Sequence, residues 1–332
     1  MPAYIVRRVL ISIGVLFVAS FLLYLAVASS GDPLASLKAR PGITQSAIDA
    51  TARSLGLDQP VVVRWWNWLT GVLTGDWGTS VALGQAQAPV FSTVMHALWV
   101  TIRLVVIAEV LALLVGGAVG AIAALRQYSV TDYVATTLAF VLFSMPVFCI
   151  AIILKTYGIQ FNLLLIDLGG ERWLTTAGPP DGGFTGSPGH MFFTFTGTYL
   201  LPTIALAAIS FAAYSRFQRA SMLEVMRQDY VRTARAKGLS ERQVVLRHAL
   251  RNALLPVTTY FAYNFGAVFG GAIVTEQVFG WNGMGSLLVR SIQQYDPNML
   301  MGWLLVTATI VVLFNLFADI AYSYLDPRIR LG

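Results

Sequence analysis

Asp229 to Pro256 reads DYVRTARAKGLSERQVVLRHALRNALLP, and it is at odds with the chain around it. The 332 residues are only 11% charged and 56% hydrophobic, yet this stretch gathers five arginines, a lysine and a histidine between two apolar runs. Arg216 to Ala236 contains good helix formers and neither proline nor glycine, so a helix is expected there. Gly238 then interrupts it, as a glycine in the left-handed conformation does at a helix C-terminus. Ser240-Glu241-Arg242-Gln243 fits the S-x-x-Q capping box, which predicts a second helix from Ser240 to about Leu254, with Pro256 near its end. The expected unit is helix, tight turn, helix, with Thr233 to Leu239 at its tip. Ala234 and Ala236 keep that tip slim enough to enter a groove.

The surroundings are a membrane protein's. Soluble domains carry roughly 25% charged residues; this chain has less than half of that, with a mean hydropathy of +0.68. Six apolar runs long enough to span a bilayer are expected: Val9 to Ala28, Leu98 to Leu125, Tyr133 to Tyr157, Tyr199 to Tyr214 (short), Thr258 to Val278 and Leu300 to Tyr322. Continuous rather than alternating hydrophobicity means helices, not barrel strands. The expected fold class is therefore an all-α integral membrane protein with six transmembrane helices. Arg7, Arg8 and Ala26-Val27-Ala28 also fit a signal peptide, but the apolar run exceeds the roughly 7–15 residues of such a segment, so a retained anchor is expected over residues 1–28.

Fourteen basic residues fall on the side that holds both termini and the opening stretch, against six on the other side in longer loops. That asymmetry places the termini and the stretch in the cytoplasm. Arg216 to Arg251 alone has nine basic residues against Glu224, Asp229 and Glu241. The positive charge is local, and it says nothing of nucleic acid; no nucleic-acid partner is expected.

Outside the spans, residues 29–97 form an extracytoplasmic segment with a helix-like piece at Thr44 to Leu55. Its tryptophans at 65, 66, 68 and 77 suit either a membrane interface or a compact outer cap. Residues 158–198, with TTAGPPDGGFTGSPG at their centre, read as an irregular outer loop. Residues 98–332 make the core, including the cytoplasmic loop at 215–257. Gly116 and Gly120, and Gly266 and Gly270 with Ala267 and Gly271 alongside, have the GxxxG spacing that lets helices touch, within the chain or at a subunit seam. Glu109, Lys155, Glu276 and Asp319 are ionisable groups in or near spans and assemble into no obvious proton relay. Cys149 is alone, and His96, His190 and His248 lack ligand spacing, so no metal site is expected.

Three readings compete for the opening stretch. Basic residues that fix topology and meet anionic lipid explain the charge but not the turn and cap. A DNA-binding helix-turn-helix would have basic helices too, but this one is tethered to spans at both ends. A rigid two-helix projection is best explained as a lever that docks in another subunit.

The stretch resembles the cytoplasmic "EAA" loop of ABC-transporter permeases, in the version found in the dipeptide, oligopeptide and nickel importer group, where DYVRTARAKGL…RHAL…LLP is typical. In the pattern E-A-A-x-x-x-G this chain has Arg232-Thr233-Ala234 and then Gly238, so the first two letters are lost, and the proline falls late, as in that group. Further similarities follow in order: YIVRRVL, LGLDQPVVVRWWNWLTGVLTGDWGTS, SMPVF at 144–148, GGAIVTEQVFGWNGMGSLLV from Gly270, and LDPRIR. The chain is most similar to the B-type oligopeptide permeases. The resemblance implies a type I importer permease fold in a bacterial cell membrane. It also implies as partners a second homologous permease in a heterodimer, two cytoplasmic ATPases and an extracytoplasmic peptide-binding protein. ATP and Mg would be bound by the ATPases; this chain has no Gly-Lys dipeptide, so no phosphate-binding P-loop, and no cofactor or catalytic residue is expected in it. The coupling residues implied are Asp229, Tyr230, Arg232, Thr233, Ala234, Arg235, Ala236, Lys237, Gly238 and Leu239, with Asp229, Arg232, Arg235 and Lys237 supplying orienting ion pairs. The translocation pathway is expected to involve Ser144 and Pro146 in the third span and Tyr263, Asn264 and Glu276 in the fifth. Nickel or another small solute is the alternative substrate within the group. A secondary carrier would show paired membrane carboxylates or repeated halves.

Overall fold

The computed structural model of the chain describes residues 2–29, 31–32, 34–38, 41–54, 56–81, 88–179 and 183–325. The described residues are helical with short connections, in the order α1 (Pro2–Ser29), α2 (Ala35–Lys38), α3 (Gln45–Ser54), α4 (Val61–Thr74), α5 (Val90–Leu125), α6 (Val130–Ser144), α7 (Val147–Asp167), α8 (Pro188–Val225), α9 (Asp229–Ala236) and α10 (Glu241–Gln243). A π-helical turn (Val244–Ala249) then leads into α11 (Leu250–Phe279), α12 (Met284–Gln293) and α13 (Pro297–Leu325). Five helices among the described residues are long and apolar enough to cross a membrane: α1, α5, α7, α8 and α13. The 30-residue α11 covers the fifth expected span.

Three expectations from the sequence are corrected. The third span is not one helix. Met145 is extended (φ −85°, ψ 130°) and Pro146 caps α7, because a proline drives the residue before it out of the helical region. The fourth span is not short: α8 runs for 38 residues through Pro202, a loss of one backbone bond that a long packed helix absorbs. It begins at Pro188, capped by Ser187, and α7 continues to Asp167, so the irregular part of the 158–198 loop shrinks to about residues 168–187.

Compact packing divides the chain into two units. The first comprises Met1–Thr101 and Asn282–Leu316. In it Trp65 is buried against α1, edge-on to Phe17 and Phe21 at 5.0 and 5.1 Å, with its indole N–H on Ser20 Oγ (3.3 Å). Of the four tryptophans, then, at least this one serves helix packing, while Trp66 is 52% exposed. Val90, Val94, Met284, Leu287, Met299 and Val306 form its core, and the Met284 amide donates to Thr101 Oγ1 (2.8 Å).

The second unit is built on Ile102–Trp281. In it α8 packs against α6, α7 and α11, and α5 crosses α8 closely. A Cβ on Gly120 would lie 2.3 Å from the Ser215 carbonyl oxygen, and one on Gly116 3.0 Å from that of Phe211. The Gly116/Gly120 pair therefore packs helices within the chain, which settles its open role; Gly266, Ala267, Gly270 and Gly271 lie outside the described side chains. Asn162 of α7 ties down the loop that follows it, accepting from the Trp173 and Leu174 amides (3.1 and 3.0 Å) and donating to the Leu174 carbonyl (2.7 Å).

Candidate functional site

The basic stretch folds into a small structure of its own. The expected helix from Arg216 to Ala236 is broken: Met226 to Gln228 turn, and Gln228 becomes the extended cap of α9. The bend has a physical reason. A straight helix would leave Val231 and Ala234 in water, whereas the bend folds them onto Val244, with Val225 and Met226 alongside. Val231 and Val244 are fully buried and Ala234 is 5% exposed. Burying each valine is worth ~2 kcal/mol, enough to fix a short segment that helix propensity alone would not hold.

The turn follows the sequence closely. Lys237 ends α9, and Gly238 takes φ +76°, the left-handed position, with open space around it. Ser240 caps α10, its amide donating to Gln243 Oε1 (3.3 Å). The second helix departs from expectation. It does not stop near Leu254: after one α-helical turn it widens into the π turn and then runs on through Pro256 as α11. The loop and the fifth span are thus one continuous rod with a π turn at the join, a feature that often marks functional positions and that no sequence signal announced.

Of the coupling candidates, Asp229, Tyr230, Arg232, Thr233, Arg235, Ala236, Lys237, Gly238 and Leu239 are exposed, with Tyr230 and Leu239 offering apolar surface (41% and 38%). Ala234 is the exception; it lies inside the loop's core and lends the tip no surface. The charges are not all free for a partner. Arg235 grips Glu241 across the turn through Nε and Nη2 (3.2 and 2.8 Å) and, by these hydrogen bonds, holds that carboxyl below its usual range. Arg232 lies 3.7 Å from Asp229 within α9.

The loop's base is braced against the spans. Arg219 meets Asp132 in a bidentate pair (2.7 and 2.8 Å), joining α8 to the start of α6. Those hydrogen bonds, with others from the Tyr128 amide and Thr136, lower the Asp132 carboxyl from 3.8 to about 2. Arg216 stacks over Phe143 at 4.1 Å. Ala124, Met222, Ala249 and Ala253 form a second apolar cluster where α5, α8, the π turn and α11 meet.

The pathway candidates are less unified. Ser144 and Pro146 are exposed and flank the break between α6 and α7. Asn264 reaches Ser210 Oγ (3.5 Å), and Glu276 is fully buried. The side chain of Tyr263 lies outside those described. A polar set that spacing did not suggest surrounds Asn264: Glu109, buried in α5, accepts from Ser210 Oγ and the Tyr214 hydroxyl, both 2.5 Å. Ser210 and Tyr214 stand four apart on α8 and so share a face, but that spacing carries no signal for Glu109 about a hundred residues earlier. Lys155 donates to the Val278 carbonyl (2.5 Å), which places a cation at the C-terminus of α11.

Comparison with known proteins gives consistent matches. Residues 1–109 match the N-terminal family of binding-protein-dependent transport system membrane components, and residues 116–331 match the binding-protein-dependent transport system inner membrane component family. The oligopeptide transport system permease OppB of Mycobacterium tuberculosis is 38% identical over 337 residues, covering 100% of both chains. The permease AppB of Bacillus subtilis, also of an oligopeptide transport system, is 37% identical over 99% of this chain and 100% of its own. The glutathione transport system permease GsiC of Escherichia coli is 36% identical over 98% of both. Among solved structures, the MetNI methionine ABC transporter in inward-facing conformations matches with a TM-score of 0.53 at 14% identity, over 72% of this chain and 98% of the other.

Proposed function

The chain belongs to the family of binding-protein-dependent transport permeases, and on that premise we propose that it serves an importer of oligopeptides or dipeptides. As a family member it is a multi-pass, non-catalytic membrane subunit of an ABC importer, with a type I permease fold. The observation that carries the substrate is full-length similarity to permeases named for oligopeptides and for glutathione, itself a tripeptide. Nickel or another small solute is the competing substrate, and the experiment below separates it.

In this reading the chain forms half of the translocation pathway beside a second, homologous permease. Two cytoplasmic ATPases bind ATP and Mg, and an extracytoplasmic peptide-binding protein delivers the cargo. Termini and loop face the cytoplasm, as the basic asymmetry supports. The tip from Thr233 to Leu239, with Asp229, Tyr230 and Arg232 on the same short helix, docks in a cleft of one ATPase. Tyr230 and Leu239 contribute apolar contact and Arg232 and Lys237 charge. Exposed ion pairs are worth about 0–1 kcal/mol each, so the shape of the tip outweighs any one charge. Because α10, the π turn and α11 form one rod, movement of the tip reaches the fifth span directly, where Asn264 and Glu276 are pathway candidates. Ser144 and Pro146 at the α6–α7 break supply a second pathway position. A passage for varied peptides binds weakly, and selectivity then rests mostly with the binding protein.

The test is ATP hydrolysis by the whole transporter reconstituted with its binding protein, first with di- to octapeptides and then with nickel chelates. Stimulation by peptides is expected. Stimulation by a non-peptide ligand alone would overturn the substrate and leave the architecture standing.

A further inference from the structure

A groove of about 1070 Å³ opens at the foot of the loop, between the α5–α6 corner with the end of α8 on one side and α10 with the π turn on the other. Four arginines line it: Arg126, Arg227, Arg235 and Arg242. They face one carboxylate, Glu241, which Arg235 already holds. Arg126, Arg227 and Arg242 make no ion pair among the described residues. Like charges gathered round one groove repel, and an anion placed among them relieves that repulsion.

The groove's other surface is apolar. Leu125, Leu223, Met226, Val245 and Leu246 line it, with Leu125 and Leu246 43% and 53% exposed. A small soluble anion gains nothing from such a floor, whereas an acyl chain does. The groove also lies at the end of the apolar helix α5, and basic clusters that flank a span attract anionic lipid.

We propose that this groove is a binding site for an anionic phospholipid, with Arg126, Arg227 and Arg242 taking its phosphate and Leu125 and Leu246 the first methylenes of a chain. The site stands on its own geometry; only its assignment to the cytoplasmic leaflet rests on the orientation proposed above. A lipid held there joins the α5–α6 corner to α10 and so braces the loop against the spans.

The test uses the whole transporter, stripped in neutral detergent, with phosphatidylglycerol or phosphatidylcholine titrated back and retained lipid counted by native mass spectrometry. Phosphatidylglycerol is expected to bind at least ~10-fold more tightly than phosphatidylcholine, and Arg126→Gln with Arg242→Gln to weaken it ~25-fold, about 5-fold for each arginine. Arg126→Lys with Arg242→Lys keeps both charges and is expected to keep most of the binding, which guards against a folding defect. Equal binding of phosphatidylglycerol by the glutamine variant would overturn the site. So would its displacement by millimolar inorganic phosphate, which assigns the arginines to a free phosphate source. A crosslink from Leu246→Cys to an ATPase with no lipid retained would give the groove to protein contact instead. None of these readouts depends on which solute stimulates ATP hydrolysis, so the lipid site and the peptide substrate fail separately.

Discussion

The α5–α8 crossing and the basic loop both depend on small residues, for opposite reasons. At the crossing, Gly116 and Gly120 are small so that two backbones can touch; the space a side chain needs is already filled by Ser215 and Gln218. In the loop, Ala234 is small because it sits beneath a cap of only a few residues, while Gly238 is a glycine because of its backbone angle and has empty space around it. Size excludes substitution at the first place and conformation at the last. Membrane spans lack a strong hydrophobic drive toward one another, so close approach must do the work there. The loop, in water, is held by ordinary apolar burial.

The largest effect is therefore expected at the crossing. Gly120→Leu forces α5 and α8 apart and should cost at least ~3 kcal/mol, beyond usual overpacking because backbone lies in the way. Thermal stability of the purified chain in detergent measures it. Gly14→Leu, where nothing lies within 4 Å, should be silent. Equal melting of the two variants would break the comparison.

Next come the two loop substitutions, which separate size from conformation. Ala234→Glu buries a carboxylate in the loop's core and should cost ~2–3 kcal/mol locally. Both protease resistance of the loop and ligand-stimulated ATP hydrolysis are expected to fall. Gly238→Asp meets only a left-handed backbone, which costs ~1 kcal/mol and which Asp tolerates better than most. The loop should stay protease-resistant while coupling falls, because the new side chain projects from the proposed docking tip. Loss of resistance in both variants would assign the loss of coupling to the loop's fold and break the separation of size from conformation.

Asp132→Asn tests the brace that connects the two regions. Asp132 is nearly buried but Arg219 is partly exposed, so losing the pair should cost about 2 kcal/mol, below the value for a fully buried pair. The sign with pH follows from the lowered Asp132 value, about 2 against 3.8. Its stabilisation is complete above the unfolded value and is lost as pH falls through about 2. The gap between wild type and Asp132→Asn should be flat above about pH 5 and close only below 4. A gap that changes between pH 6 and 8 would assign the effect to another group.

Much of this was legible in the chain. The glycine-ended helix, the Ser240 cap, the apolar spans and the GxxxG pair at 116 and 120 are local signals, each written in a few adjacent residues. What the sequence hid was non-local. Nothing between Arg216 and Ala236 announces a break, since Met226–Gln228 bends only to bring Val231 and Ala234 onto Val244, thirteen and ten residues onward. Of three prolines within expected spans or loop helices, Pro146 interrupts its helix while Pro202 and Pro256 do not. Packing on either side decides that outcome, and single-residue rules carry no information about it. The Glu109 set and the Asp132–Arg219 pair connect residues about ninety or more apart, beyond the reach of any motif.

The smallest expected effect is the most discriminating. Arg235 stands among the coupling residues implied by the family resemblance, yet it is already engaged with Glu241 across the turn. Both side chains are largely exposed (40% and 61%), so Arg235→Ala should cost at most ~1 kcal/mol of loop stability. Coupling will fall in that variant whether Arg235 is a strut or a partner contact, so it decides nothing alone. The exchange Arg235→Glu with Glu241→Arg does decide. A strut needs only opposite charges on the two sides of the turn, and the exchange restores them; a residue pointing at an acidic partner needs its own sign. Recovery of stimulated ATP hydrolysis to near the wild-type rate is expected, which leaves docking to Tyr230, Arg232, Lys237 and Leu239. A protease-resistant loop that still fails to couple would return Arg235 to the interface.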